Sequence, residues 1–139
     1  EPEEAFTLVI DSENSKEYML NRVAKIGYEK QLKEIITLIN ENLIKTEELD
    51  LKDFKANPDN YTIIDIRNTG EVEEEKFFES ANSHPLNELR DSASSIETDK
   101  PIVVHCAGGY RSAAGSSILE RQLQGATVYD LSEAINDFK

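Results

Sequence analysis

One cysteine in this chain stands where a nucleophile could act. The apolar run 101–105 predicts a buried strand, and Cys106 follows it at the start of the loop Cys-Ala-Gly-Gly-Tyr-Arg, which ends at Arg111. A helix is predicted from about Ser112, directly after the loop. The backbone N–H groups of such a loop and the positive end of the helix dipole both favour a thiolate over a thiol. The pattern therefore predicts a reactive cysteine.

Two glycines and an arginine extend this chemistry. Gly108 and Gly109 can adopt backbone angles that residues with a Cβ resist, so the loop can turn its amides toward one centre. Arg111 adds a permanent cation, which could hold an anionic sulfur donor or offset the charge of a bound persulfide. The alternative is that Cys106 is a small core residue in an ordinary strand-to-helix turn, since free cysteines are mostly buried packing residues.

Alternating strands and helices must position this loop. The almost fully apolar run 61–66 predicts a strand with two buried faces, as in the middle of a parallel sheet. Residues 101–105 and 127–129 predict two more strands, with a helix over about 112–124 between them and a last helix over 132–138. We therefore expect an α/β fold with a central parallel sheet flanked by helices. Ligands in such sheets bind at the carboxyl ends of strands, where Cys106 is placed.

The first 45 residues are predicted to form a separate α/β extension, and residues 46–139 the main domain. A strand over 6–10 precedes a helix over about 16–25, which Gly27 closes. A second amphipathic helix is predicted over 28–44 from the helical spacing of Leu32, Ile35, Ile36, Ile39 and Leu43. The order of strand, helix and glycine in residues 8–27 resembles the order in residues 102–125, which indicates a weak internal repeat.

The composition excludes several classes of partner. The chain of 139 residues has 15 basic and 28 acidic side chains, a formal net charge of -13. This charge repels phosphate backbones and anionic lipids, so neither nucleic acid nor a membrane is expected as a partner. One cysteine allows no internal disulfide and supplies too few sulfur ligands for zinc, so no metal is expected. The apolar runs are too short to span a bilayer, and we expect a cytoplasmic protein.

Residues 46–139 resemble a rhodanese domain. Thr-Ile-Ile-Asp-Ile-Arg-Asn at 62–68 is similar to the family's opening signature, and His-Cys-Ala-Gly-Gly-Tyr-Arg-Ser at 105–112 is similar to its active loop. Cys106 and Arg111 are separated by four residues, as in sulfurtransferases, whereas the related Cys-based phosphatases have a loop one residue longer. The resemblance implies a rhodanese-like three-layer fold. Lys76 replaces the expected histidine, a departure that concerns the rim of the domain.

The resemblance also implies a role for individual residues. Cys106 is the catalytic persulfide carrier, and Arg111 assists it. Asp65, Arg67 and Ser112 support the loop. The implied substrate-binding residues are those of the loop after the cysteine, namely Ala107, Gly108, Gly109, Tyr110 and Arg111. The implied reaction moves sulfane sulfur from thiosulfate or a low-molecular-weight persulfide to a thiol or cyanide, with no cofactor in this chain.

The N-terminal extension has a resemblance of its own. Residues 8–32 are similar to the rear half of a degenerate rhodanese-like unit in fusions that join a metallo-β-lactamase-fold persulfide dioxygenase to rhodanese domains. This implies a covalent fusion to such a dioxygenase domain, whose iron centre would lie outside these residues. The acidic start without a methionine also fits a piece of a longer protein.

Two other functions stay open. A Cys-based phosphatase or arsenate reductase would use the same cysteine and arginine on the same fold, although the loop length disfavours it. A non-catalytic interaction and sulfur-relay module would fit the acidic surface and the altered rim.

Overall fold

The computed structural model describes residues 3–38 and 48–139. The chain divides into two units, with the boundary between Lys45 and Thr46. The first unit contains strand β1 (Phe6–Ile10), a 3-10 turn (Glu13–Ser15), helix α1 (Lys16–Lys25) and strand β2 (Leu32–Thr37). Because β1 and β2 are parallel neighbours, these elements form one β-α-β unit.

The predicted helix over 28–44 is wrong in the part that the structure describes. Leu32–Thr37 form β2, in which Ile36 lies opposite Val9 of β1. The spacing of the apolar residues suits a helix, but the run at 35–37 is Ile-Ile-Thr, and β-branched residues favour an extended strand. Pairing with β1 then satisfies the backbone of this run. Residues 39–44, with Ile39 and Leu43, lie outside the described residues.

The second unit alternates strands and helices, as predicted. Its helices and strands are α2 (Leu51–Ala56), β3 (Thr62–Asp65), α3 (Thr69–Glu74), β4 (Asn82–Ser83), α4 (Leu89–Ser92), β5 (Ile102–His105), α5 (Tyr110–Gln122) and β6 (Val128–Asp130). Three 3-10 helices occupy Pro58–Asn60, Ala93–Ser95 and Ser132–Phe138. Within residues 48–139 the strands form one parallel sheet in the order β4-β3-β5-β6. The prediction of a parallel sheet flanked by helices is confirmed.

Both faces of the central strands are buried. All residues of β3 and β5 are buried, which explains why these strands are mostly apolar rather than alternating in polarity. On one face Ile64 and Val104 pack with Leu89 of α4 and Leu119 of α5. The other face is covered by α2 and the last 3-10 helix, through a second cluster of Phe54, Ile63, Val103, Leu131 and Ile135. The sheet is thus the middle of three layers.

The internal repeat has a structural counterpart in each unit. The first unit is built as β1-α1-β2 and the second contains β5-α5-β6, and in both the strands are parallel neighbours. Gly27 and Gly125 follow the helices with positive φ angles of 78° and 91°, a conformation that favours glycine. Across residues 3–38 and 48–139, every helix is too short or too polar to span a bilayer.

Candidate active site

The Cys106 sulfur lies at the carboxyl end of the central strand β5. Cys106 is 2 % exposed and belongs to the core cluster on the α5 side of the sheet. The chain then turns so that α5 begins at Tyr110, two residues earlier than predicted. The N–H of Gly109 donates a hydrogen bond to Sγ of Cys106 at 3.2 Å. The sulfur is therefore nearly covered, yet a loop amide points at it.

Several donors converge on this sulfur. Burial raises the pKa of the Cys106 thiol, because a low-dielectric site disfavours the thiolate. Hydrogen bonds from the amides of Gly108, Ser112 and Gly109 oppose this effect, and the Ser112 hydroxyl adds another. The donors outweigh burial, so the pKa of Cys106 lies below its ordinary value. This geometry favours the nucleophilic form of the cysteine.

The two glycines of the loop have different roles. Gly109 has a φ of 97°, and a Cβ at this position would lie 2.9 Å from both the backbone N of Glu133 and the backbone C of Ser132. Only glycine fits this close approach of two chain segments. Gly108 has no positive φ, and a Cβ there would meet nothing within 4 Å. The prediction that both glycines are needed for unusual backbone angles is therefore wrong for Gly108.

Arg111 is held by Glu71, a residue of α3. Its two terminal nitrogens donate to the two carboxylate oxygens of Glu71 at 2.6 and 2.7 Å, a bidentate pair. Hydrogen bonding to Arg111 lowers the pKa of Glu71 to about 2, so this carboxylate is ionised at neutral pH. The Glu71 carboxylate also raises the pKa of Arg111, and the Cys106 side chain adds to that effect. The guanidinium thus lies near the sulfur with its charge largely offset.

Asp65 and Arg67 form a buried ion pair at the end of β3. The Arg67 guanidinium donates to Asp65 at 2.6 Å and to the backbone oxygen of Glu75 at 2.8 Å, and it stacks on the Phe77 ring at 3.9 Å. Nε2 of the buried His105 lies 3.7 Å from the Asp65 carboxylate. Asp65 thus lies next to the residue that precedes the nucleophile.

The remaining loop residues lie toward solvent. Ala107 is half-buried, and Tyr110 is 91 % exposed. A pocket of about 240 Å³ borders the loop and is lined by Gly108, Gly109, Tyr110, Ala113, Ser132 and Glu133. Three of the predicted loop residues, Gly108, Gly109 and Tyr110, thus line an open pocket that borders the loop.

Comparison with known proteins identifies this architecture. The family model of the Rhodanese-like domain matches residues 48–139. The chain belongs to the rhodanese-like domain family. This match covers the sheet, the Cys106 loop and the residues that hold Arg111. A comparison with curated proteins found no match.

Solved structures agree with this rhodanese-like fold. A rhodanese-related protein from Thermoplasma volcanium is 28% identical, with a TM-score of 0.58 over 66% of this chain and 89% of that chain. A protein from Staphylococcus saprophyticus is 21% identical, with a TM-score of 0.56 over 68% and 94% of the two chains. An NAD-dependent persulfide reductase from A. fulgidus is 33% identical, with a TM-score of 0.50 over 63% of this chain but only 15% of that chain.

Two residues of the rhodanese-like site were missed by the sequence analysis. The acidic run 71–75 has the composition of a solvated helix turn, but Glu71 is half-buried against Arg111, while Glu73, Glu74 and Glu75 are exposed. The sequence does contain a signal for a structural role of Glu71, because Asn68 and Glu71 have the spacing of a helix capping box. In the structure the Asn68 N–H donates to the Glu71 carboxylate at 3.1 Å. Glu133 carries no local signal, since only tertiary structure brings it to the loop.

Ser112 offers a direct test of the donor network in this rhodanese-like loop. Its buried hydroxyl donates to the backbone oxygen of Gly109 at 2.9 Å and also favours the Cys106 thiolate. Ser112→Ala is therefore expected to raise the pKa of Cys106 and to slow its alkylation by iodoacetamide several-fold at neutral pH. The pH profile of the alkylation rate measures both effects. Ser117→Ala, an exposed serine of the same helix, is the matched control. An unchanged profile in Ser112→Ala would contradict the role of the hydroxyl.

Proposed function

We propose that the domain is a sulfurtransferase in which Cys106 carries a sulfane sulfur as a persulfide. The thiolate attacks the outer sulfur of a donor, the bond from that sulfur to the donor breaks, and the donor remainder leaves with the electron pair. A thiol or cyanide acceptor then attacks the outer sulfur and releases the thiolate. The observation that carries this proposal is the hydrogen bond of 3.2 Å from Gly109 to Sγ, within a donor network that lowers the pKa of Cys106.

The surroundings of the sulfur suit a small group. Cys106 is 2 % exposed, so a reacting partner must reach it with a slender terminal atom, such as the outer sulfur of a persulfide. The amides that stabilise the thiolate are also the donors proposed to stabilise a sulfur attached to it. The family assignment supports the same chemistry, and a similar domain occurs within a protein named as a persulfide reductase.

The arrangement of Arg111 disfavours a phosphatase. Binding of a phosphate dianion by a guanidinium works best when both terminal nitrogens can donate to its oxygens. Here both nitrogens already donate to Glu71. The Glu71 carboxylate is ionised at neutral pH, since its pKa is about 2, so a phosphate dianion at Arg111 would meet a negative charge beside it.

Three further features remain predictions from the sequence. These are a covalent fusion to a persulfide dioxygenase domain, a cytoplasmic location, and a reaction that needs no cofactor. The function proposed for Cys106 does not depend on the first two.

Intact-mass measurement tests the function. Incubation of the chain with an alkyl persulfide is expected to add the mass of one sulfur atom, on the peptide that contains Cys106. A later addition of cyanide should remove this mass and release thiocyanate. Because the chain has 1 Cys, prior alkylation gives a protein blocked at the proposed site. Two results would count against the proposal. One is the absence of the sulfur adduct with every donor tested, and the other is a sulfur adduct that still forms on the alkylated protein.

A further inference from the structure

The pocket beside the sulfur loop has an unusual charge for a site expected to receive an anion. Its lining combines the loop residues Gly108, Gly109 and Tyr110 with Ala113, Ser132 and Glu133. Of these described residues only Glu133 is charged, and it is exposed at the rim. The lining of this pocket of about 240 Å³ therefore includes one acidic residue and no basic one.

The cation nearest to the sulfur does not reverse this charge. Both terminal nitrogens of Arg111 are paired with Glu71, at 2.6 and 2.7 Å. The two charges largely cancel at the distance of a bound donor. The charges of Arg111, Glu71 and Glu133 together give a net negative charge near the loop. The Cys106 thiolate adds a further negative charge. A dianion such as thiosulfate is repelled by this arrangement.

The same groups suit a donor that carries a positive charge. The Tyr110 side chain is 91 % exposed at the pocket, where the face of its ring is accessible to a cation. Glu133 lines the same pocket, and the negative charge of its exposed side chain attracts an ammonium group nearby. We infer that the donor that loads Cys106 is the persulfide of a small aminothiol, and that Glu133 and Tyr110 select it through its ammonium group. This inference rests on the proposed sulfurtransferase function.

The transfer step is balanced without a co-reactant. The Cys106 thiolate attacks the outer sulfur of the donor persulfide, and a new bond forms between the two sulfurs. The bond between the two donor sulfurs breaks, and the aminothiol leaves as a thiolate with the electron pair. The proton of the donor persulfide stays on the transferred sulfur. The ammonium group takes no part in the chemistry, so its effect is on binding and orientation alone.

Two donors of matched size but opposite charge test the inference. We expect 2-aminoethyl persulfide to load Cys106 with a second-order rate constant about tenfold higher than that of 2-carboxyethyl persulfide. Thiosulfate should be slower than both. Added salt should reduce the ratio between the two persulfides, because it screens exposed charges. Rapid quenching followed by intact-mass measurement gives each rate constant.

Variants of Glu133 assign the selectivity to this residue. Glu133→Gln should bring the ratio of the two rate constants close to one, and Glu133→Lys should invert it. Glu97→Lys is the matched control, because Glu97 is an exposed acid that precedes β5, at the edge of the sheet opposite the loop. This control makes the same change in net charge and should leave the ratio unaltered.

The possible failures are distinguishable. If both persulfides load Cys106 at equal rates, or if Glu133→Lys leaves the ratio of wild type, the inference is overturned while the sulfurtransferase function stands. If thiosulfate loads Cys106 as fast as 2-aminoethyl persulfide, charge selection is likewise overturned. If no donor gives a sulfur adduct, the proposed function itself fails. Far-ultraviolet circular dichroism of each variant confirms that the fold is retained.

Discussion

Cys106→Ser is expected to reduce sulfur loading and transfer by about a thousandfold or more, to the background of the uncatalysed reaction. A hydroxyl at this position remains protonated at neutral pH, so the donors from Gly108, Gly109 and Ser112 cannot produce a nucleophile of comparable strength. Loading is measured by intact mass, and transfer by thiocyanate release. Because serine is close in size to cysteine, we expect a loss of only about 1 kcal/mol in the free energy of unfolding.

Moving the cysteine to another position tests whether sulfur transfer needs the Cys106 loop or only a thiol anywhere in the chain. Ser117 is an exposed residue of α5, so Ser117→Cys in the Cys106→Ser background restores one thiol to the chain outside the loop. This double variant should remain inactive, because its sulfur lacks the convergent amides. Transfer at the wild-type rate in either variant would show that the Cys106 loop is not the site of sulfur transfer.

The strands around the site were predictable from the sequence because they are buried on both faces. The runs at 61–66 and 101–105 are mostly apolar, short and rich in β-branched residues, a pattern that favours a buried strand. Leu32–Thr37 was assigned wrongly because its apolar residues fit the helical period, while its partner β1 lies more than twenty residues earlier in the chain. Strand β4 has only two residues, Asn82 and Ser83, so its sequence is too short to show the alternating pattern that predicts a strand.

The position of the nucleophile could be predicted, but the charge of the site could not. A strand, a loop with two glycines and a helix place Cys106 near backbone amides through local geometry alone. The pairing of Arg111 with Glu71 joins residues 40 positions apart and depends on how α3 and α5 meet over the sheet. The sequence therefore predicts Arg111 as a receptor for an anionic donor, whereas in the structure its two terminal nitrogens donate to a carboxylate.

The approach of the last 3-10 helix to the loop is also a tertiary feature. Ser132 has a φ of 50°, a left-handed conformation that is uncommon outside glycine, and its N–H donates to Asp130 at 2.8 Å. This turn brings the backbone of Ser132 and Glu133 against Gly109. The loop that holds the sulfur is therefore fixed by a segment more than twenty residues later in the chain. A glycine in a loop indicates freedom of the backbone, but the sequence does not say which of two glycines is constrained.

Gly109→Ala is expected to disrupt both the fold and the site. Alanine at a φ of 97° is strained, and its Cβ would lie 2.9 Å from backbone atoms of Ser132 and Glu133, which have no side-chain freedom to move aside. We expect a loss of about 2 kcal/mol or more in the free energy of unfolding. Movement of the Gly109 amide away from Sγ should also raise the pKa of Cys106 and slow persulfide loading. Urea denaturation and loading kinetics measure the two effects.

Two other glycines separate the possible causes of this loss. Gly125 has a φ of 91° with nothing within 4 Å of its Cβ position, so Gly125→Ala introduces backbone strain without a collision and should cost about 1 kcal/mol. Gly108→Ala introduces neither effect, and its unfolding free energy should stay within about 0.5 kcal/mol of wild type. If Gly109→Ala were no worse than Gly125→Ala, the contact with Ser132 and Glu133 would not constrain the loop. If Gly108→Ala were as damaging as Gly109→Ala, the loop would need glycine for a reason other than this contact.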